Sequence, residues 1–122
     1  MNDRFKFRYV HEDKKKVYNV AAIDFNQKIL SVANIMTVRE FNYNSLLQCT
    51  GLKDRNGTLI YEGDIIEVLP DKEYAIIEWN KEMARFDICI KNSKSIYRFA
   101  TYCGDELEVI GNIYENPELL KG

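Results

Sequence analysis

A single histidine, His11, and the absence of any Cys-x-x-Cys pair leave the chain without the ligand spacing of a structural zinc site. The three cysteines, Cys49, Cys89 and Cys103, are odd in number and far apart, so free thiols in a cytoplasmic protein are the simplest expectation. No apolar run approaches the roughly 18 residues of a membrane-spanning helix, and no basic-then-apolar leader opens the sequence, so neither export nor a membrane anchor is expected. An excess of positive charge is also missing. Lys and Arg total 17 against 19 Asp and Glu, a formal charge of −2, which removes any global field that would draw the protein to nucleic acid.

What the chain does have is apolar material. In 122 residues, 46% are hydrophobic and 12% aromatic, enough to bury one core. Its charges are unevenly placed. Residues 1–20 hold Arg4, Lys6, Arg8, Lys14, Lys15 and Lys16 against Asp3, Glu12 and Asp13, whereas from Gly104 onward Asp105, Glu106, Glu108, Glu115 and Glu118 face only Lys121. The two ends can therefore attract one another, within a subunit or across a contact.

The densest local instructions lie between Thr50 and Asp64. Gly51, Gly57 and Gly63 offer three points of positive φ, and Asp54-Arg55-Asn56-Gly57 is turn chemistry between apolar flanks. A hairpin is expected, closed by a primed turn or by a type I turn with a left-handed glycine. Tyr61-Glu62-Gly63-Asp64 makes a second turn. A phosphate-binding loop is rejected, because the G-x-x-x-x-G-K-[ST] spacing is absent and no helix is expected behind the glycines.

Alternation of apolar and polar residues supplies the strands. Phe5, Phe7 and Tyr9 against Lys6 and Arg8 imply one buried face and one basic, wet face. Residues 17–25 extend the chain, Asn26 and Gln27 turn it, and Lys28 to Ala33 returns. Asn34 to Leu47 fits no single period and reads as a loop with strand at its end. After Gly63, Ile66 and Val68 face away from Ile65 and Glu67, and Pro70-Asp71 breaks the run. Ala75, Ile77 and Trp79 then alternate with Tyr74, Ile76 and Glu78, and Phe86, Ile88 and Ile90 with Arg85, Asp87 and Cys89, a hairpin with a half-buried sheet. Ser95–Thr101 and Leu107–Tyr114 are further strands, the latter bulged at Gly111. Asn116-Pro117-Glu118 predicts a capped, one-turn helix. The fold class is mainly β: one antiparallel, partly open SH3-like barrel or meander, with residues 1–45 as a candidate subdomain on a barrel of 46–114.

Gln48-Cys49-Thr50-Gly51-Leu52-Lys53-Asp54-Arg55-Asn56-Gly57, Ile60-Tyr61-Glu62-Gly63-Asp64-Ile65 and the closing Val109-Ile110-Gly111-Asn112-Ile113-Tyr114-Glu115-Asn116-Pro117-Glu118-Leu119-Leu120 together resemble the YopX family, as does the opening Phe5-Lys6-Phe7-Arg8. The chain departs from that family's pattern at Tyr9, Val10 and His11 and at Cys49. The resemblance implies a small, β-rich cytoplasmic protein of phages and prophages. It carries over no catalytic residues.

Three function classes remain. For an enzyme, Glu62 and Asp64 form a carboxylate pair, but flanking Gly63 in a turn they are expected to be solvated, and nothing ties His11 to a cysteine. For a nucleic-acid module, Lys14, Lys15 and Lys16 beside Tyr9 and Tyr18 offer phosphate contacts with aromatic neighbours. For an interaction or assembly protein, which the residues favour, Lys53, Asp54, Arg55, Tyr61 and Glu62 are candidate partner contacts. Eight tyrosines, six phenylalanines and Trp79 exceed what a thin barrel hides, so some of Tyr43, Tyr61, Tyr74, Tyr97, Tyr102 and Tyr114 are expected to be exposed. No cofactor or metal is expected. The partner is a second copy, with a homo-oligomer the expected form, or another protein.

Overall fold

The computed structural model describes residues 3–70, 72–90, 96–98 and 104–121. The described chain runs through β1 (Phe7–His11), β2 (Lys16–Asn19), β3 (Ala22–Asp24), β4 (Ile29–Val32), β5 (Met36–Arg39), β6 (Leu46–Lys53), β7 (Leu59–Tyr61), β8 (Asp64–Val68), β9 (Glu73–Asn80), β10 (Arg85–Ile90), β11 (Ile96–Arg98) and β12 (Leu107–Asn112). Single 3-10 turns occur at Asp3–Phe5, Tyr43–Ser45, Gly104–Glu106 and Pro117–Leu120. The protein is mainly β, and no helix among the described residues is long and apolar enough to cross a membrane.

Every strand pairing is antiparallel. The strands form a four-stranded sheet in the order β2-β1-β6-β7, a five-stranded sheet β11-β10-β9-β8-β12 and a three-stranded sheet β3-β4-β5. Because β1 pairs with β6, residues 1–45 and 46–114 share a sheet. Two apolar clusters hold these layers. Ile60, Ile66, Val68, Ala75, Ile77, Ile88, Ile90 and Leu107 form one, filled by the inward residues of the β9–β10 alternation. Leu30, Val32 and Phe41 form the other, with Tyr9, Tyr18, Ile23 and Leu46 packed on it.

The glycine turns fall where the sequence puts them. Gly51, Gly57 and Gly63 all have φ between 82° and 85°. Asn56 keeps negative φ, so the hairpin tip is a type I turn followed by a left-handed glycine. The β12 bulge also lies at the expected place, as the register with β8 shifts between Val109 and Gly111.

Several expectations are corrected. Phe5 belongs to a 3-10 turn and is exposed, so β1 starts at Phe7. The stretch from Asn34 to Leu47 contains a strand, β5, besides the start of β6. Trp79 is exposed beside the turn of its hairpin, edge-on to Phe86 with ring centroids 5.0 Å apart. Asp87 lies buried on the face expected to be wet. The Arg85 Nε donates to it at 2.7 Å and the Asn80 amide at 2.8 Å. Ile65 is fully buried although it faces away from Ile66, so β8 is covered on both faces. Asn116 precedes the C-terminal turn but makes no capping bond there. Outside Ile96–Arg98, the expected strand from Ser95 to Thr101 lies outside the described residues.

Gly63 shows why a turn residue is tied to tertiary structure: besides its φ of 85°, a Cβ there would stand 3.0 Å from the Tyr114 ring. At Gly57 a Cβ meets nothing within 4 Å. Both alanine variants carry the left-handed strain, and Gly63→Ala adds a clash. In chemical denaturation Gly63→Ala is expected to lose more than about 1 kcal/mol, and visibly more than Gly57→Ala. Ile77→Ala, emptying a fully buried site, is expected to lose about 2–5 kcal/mol.

Candidate functional site

The Tyr61–Asp64 turn places a carboxylate inside the protein. Asp64 is 1% exposed; its Oδ2 accepts the Tyr61 backbone N–H at 2.8 Å, and Arg8 meets its Oδ1 at 3.4 Å. Arg8 comes from β1, its Nε donating to Asn19 Oδ1 at 3.2 Å, and its guanidinium lies 3.9 Å over the Tyr61 ring. Burial pushes the Asp64 carboxyl up to about 6, outweighing the Tyr61 N–H and Arg8, which favour its charged form. Burial also raises Glu62, with the Gln48 backbone N–H opposing it. The pair expected to be solvated is thus one buried and one half-buried group, because the Gly63 turn folds under β1 and β12 rather than out into water.

Arg8 and Asn19 stand between two clefts. A polar one of about 280 Å³ is lined by Arg8, Asp64, Asn112, Glu115 and Asn116 among others. These groups are largely occupied with one another. Asn112 Oδ1 accepts the N–H groups of Tyr114 and Glu115, and its amide donates to Glu115 Oε1 at 3.0 Å. Glu115 Oε2 accepts the Val17 N–H at 2.9 Å, which ties the acidic end of the chain to β2 without an ion pair. Asn116 Oδ1 accepts the Asn112 N–H and sits where a side chain at Gly111 would be, 2.6 Å from an added Cβ. The second cleft, about 710 Å³, is lined by Phe5, Lys6, Phe7, Arg8, Asn19, Val20, Ala21, Ala22, Ile23, Gly57, Leu59 and Tyr61.

The candidate partner contacts separate. Lys53 and Arg55 are exposed and Glu62 half-buried, but Asp54 and Tyr61 are buried, which corrects their reading as surface residues. Asp54 Oδ1 accepts the N–H groups of Asn56 and Thr58, and its Oδ2 accepts the Val109 N–H at 2.9 Å, so it clamps the hairpin tip onto the bulged strand. Tyr61 is covered by Arg8. Of the other tyrosines, Tyr43 is exposed, Tyr74 and Tyr114 are half-buried, and the Tyr97 side chain and Tyr102 lie outside the described residues. Lys14, Lys15 and Lys16 are exposed around the β1–β2 turn, while Tyr9 and Tyr18 pack half-buried against the second core.

For the remaining chemistry, the His11 Nδ1 accepts the Lys14 N–H at 3.3 Å. Cys49 is buried, and burial raises its thiol. Cys89 donates to Glu78 Oε2 at 2.9 Å, and burial together with that carboxylate pushes its thiol up to about 12, far from a reactive thiolate. Cys103 lies outside the described residues. Among the described residues no group of three or more His, Cys, Asp or Glu could hold a metal ion.

The site residues that the sequence reading missed are Arg8 and Asn19. Arg8 was hidden by alternation that makes it look solvated. A cation at a half-buried strand position, with a later Gly-Asp turn as its counter-charge, was the available signal.

Two measurements check these assignments. Asp54→Ala leaves three partly buried N–H bonds without their carboxylate and is expected to lose about 1–3 kcal/mol, whereas Lys53→Ala stays within about 0.5 kcal/mol. Because the folded-state pKa of Asp64 is raised from 3.8 to about 6, the folded protein binds the extra proton in that interval. Its contribution is therefore most favourable below pH 3.8 and declines as pH rises to about 6. Asp64→Asn should flatten the stability curve across that window in urea titrations.

Among solved structures, protein EF1440 from Enterococcus faecalis is similar at 27% identity with a TM-score of 0.63, covering 95% of this chain and 97% of its own. Protein yopX from Bacillus subtilis shares the fold at 18% identity with a TM-score of 0.57, covering 98% of each chain. No curated protein matches the chain. The family described as YopX protein matches residues 6–121, which include the Arg8–Asp64 pair, the Asp54 clamp and the Asn112–Asn116 knot; the chain belongs to the YopX family.

Proposed function

We propose that this protein is a non-enzymatic interaction or assembly protein that acts through protein–protein contacts inside the bacterial cell, in a phage or prophage setting. The observation that carries the reading is an exposed aromatic patch. Phe25 and Tyr43, 46% and 54% exposed, lie parallel with ring centroids 6.5 Å apart over the buried Phe41, and Phe25 meets Phe7 edge-on at 5.9 Å. Phe7 in turn lines the larger cleft, whose rim holds Phe5 at 62% exposure. Exposed rings in one continuous area fit a surface that another protein covers; single exposed residues such as Ile35 and Met83 need no such account. The carboxylates of Asp54 and Asp64 support the same reading from the other side, because their oxygens are taken up by backbone N–H groups and Arg8.

Both a second copy and another protein satisfy this reading. Sedimentation gives the mass in solution, and crosslinking followed by affinity purification from producing cells recovers other partners. The wild type is expected to self-associate or retain a protein. The double variant Phe25→Ser, Tyr43→Ser should lose that association while keeping its β-sheet circular dichroism. A wild-type chain that is monomeric at micromolar concentration and retains no protein contradicts the proposal.

A further inference from the structure

The larger cleft has a one-sided electrostatic character. Its lining includes Lys6 and Arg8 and no carboxylate, and the Arg4 guanidinium lies 4.9 Å over the ring of Phe5, which lines it too. Asp64, the partner of Arg8, also lines the neighbouring polar cleft, and Asp3 meets Lys6 at 3.2 Å in an exposed pair that contributes little. Arg8 spends Nε on Asn19 and one terminal nitrogen on Asp64; its other terminal nitrogen meets no acceptor among the described residues. One wall, Val20 to Ile23 with Leu59 opposite, is aliphatic. That wall includes β3, the outermost strand of its sheet, whose outer main-chain groups have no strand partner among the described residues.

We infer that this cleft binds an extended acidic segment of a partner protein, with aliphatic side chains against Val20, Ala22 and Leu59, carboxylates toward Lys6 and Arg8, and main-chain bonds to the edge of β3. The inference rests on the protein-interaction reading above and names its surface and the chemistry of the partner. Edge pairing supplies main-chain hydrogen bonds, and the cations select charge. A single-stranded nucleic acid fits less well. One face each of Phe5 and Tyr61 is already covered by a guanidinium, and the aliphatic wall offers no ring to stack on.

Fluorescence anisotropy tests this with three labelled probes: a decapeptide alternating leucine with aspartate, one alternating leucine with lysine, and oligothymidylate. The acidic peptide is expected to bind selectively and to shift the backbone amide resonances of residues 5–8 and 19–23. Lys6→Glu and Ala22→Asp, both at exposed positions, should each weaken it by about tenfold with unchanged circular dichroism. Equal binding of the lysine peptide, tighter binding of oligothymidylate, no binding of the acidic peptide, or indifference to both variants overturns the inference. If a cellular protein partner is retained equally by the wild type and both variants, the cleft assignment falls and the interaction reading stands.

Discussion

A carboxylate taken out of water must be met from several directions, and at Asp64 those directions belong to different parts of the chain. The Tyr61 N–H comes from the same turn, while the Arg8 guanidinium comes from β1, far away in sequence. Removing either donor would leave a buried charge unpaired, which is more costly than the pair itself is favourable. The pair therefore acts as a constraint on register. It holds β1 over the Gly63 turn, brings Arg8 across Tyr61, and makes the guanidinium the partition between the polar and apolar clefts.

The same logic runs through the other polar residues of the family pattern. Asp54 fastens the hairpin tip to the bulge in β12, and Asn112, Glu115 and Asn116 close the end of that strand and reach β2 through the Val17 N–H. Gly111 is required where it stands because the Asn116 amide occupies the space of its missing side chain. A pattern rich in Asp, Asn, Glu and Gly resembles a binding or catalytic signature, yet here Asp54, Asp64, Asn112, Glu115 and Asn116 each accept a backbone N–H. This ties those polar groups to architecture and shifts functional interest to the exposed aromatic patch and to the cleft, to which the motifs contribute Phe5 to Arg8, Gly57 and Tyr61.

Some elements were legible because their signal is local. The β9–β10 hairpin follows from the inward set Ala75, Ile77, Ile88 and Ile90 at every second position, and the Gly51, Gly57 and Gly63 bends follow from the need for positive φ. Strand β5 was not legible, for an equally local reason. It is bounded by Asn34 and Glu40, both left-handed, and the β3–β4 turn uses Lys28 in the same conformation. Glutamate is a poor advertisement for such a backbone, so the turn that closes β5 gave no signal, whereas the β3–β4 turn was signalled by Asn26 and Gln27 beside Lys28.

Composition and period by themselves determined that this is a β protein with one domain's worth of core, turning at its glycines, because those preferences act over a few neighbouring residues. Which charges are wet was decided only by the fold. Asp54, Asp64 and Asp87 look like solvated turn and edge residues in the sequence, and each is buried because a distant or cross-strand donor arrives to meet it. The cleft is likewise a product of tertiary structure: Phe5 to Arg8, Asn19 to Ile23 and Leu59 have no pattern in common along the chain, and come together only when β1, β2 and β7 share one curled sheet with β3 lying beside it.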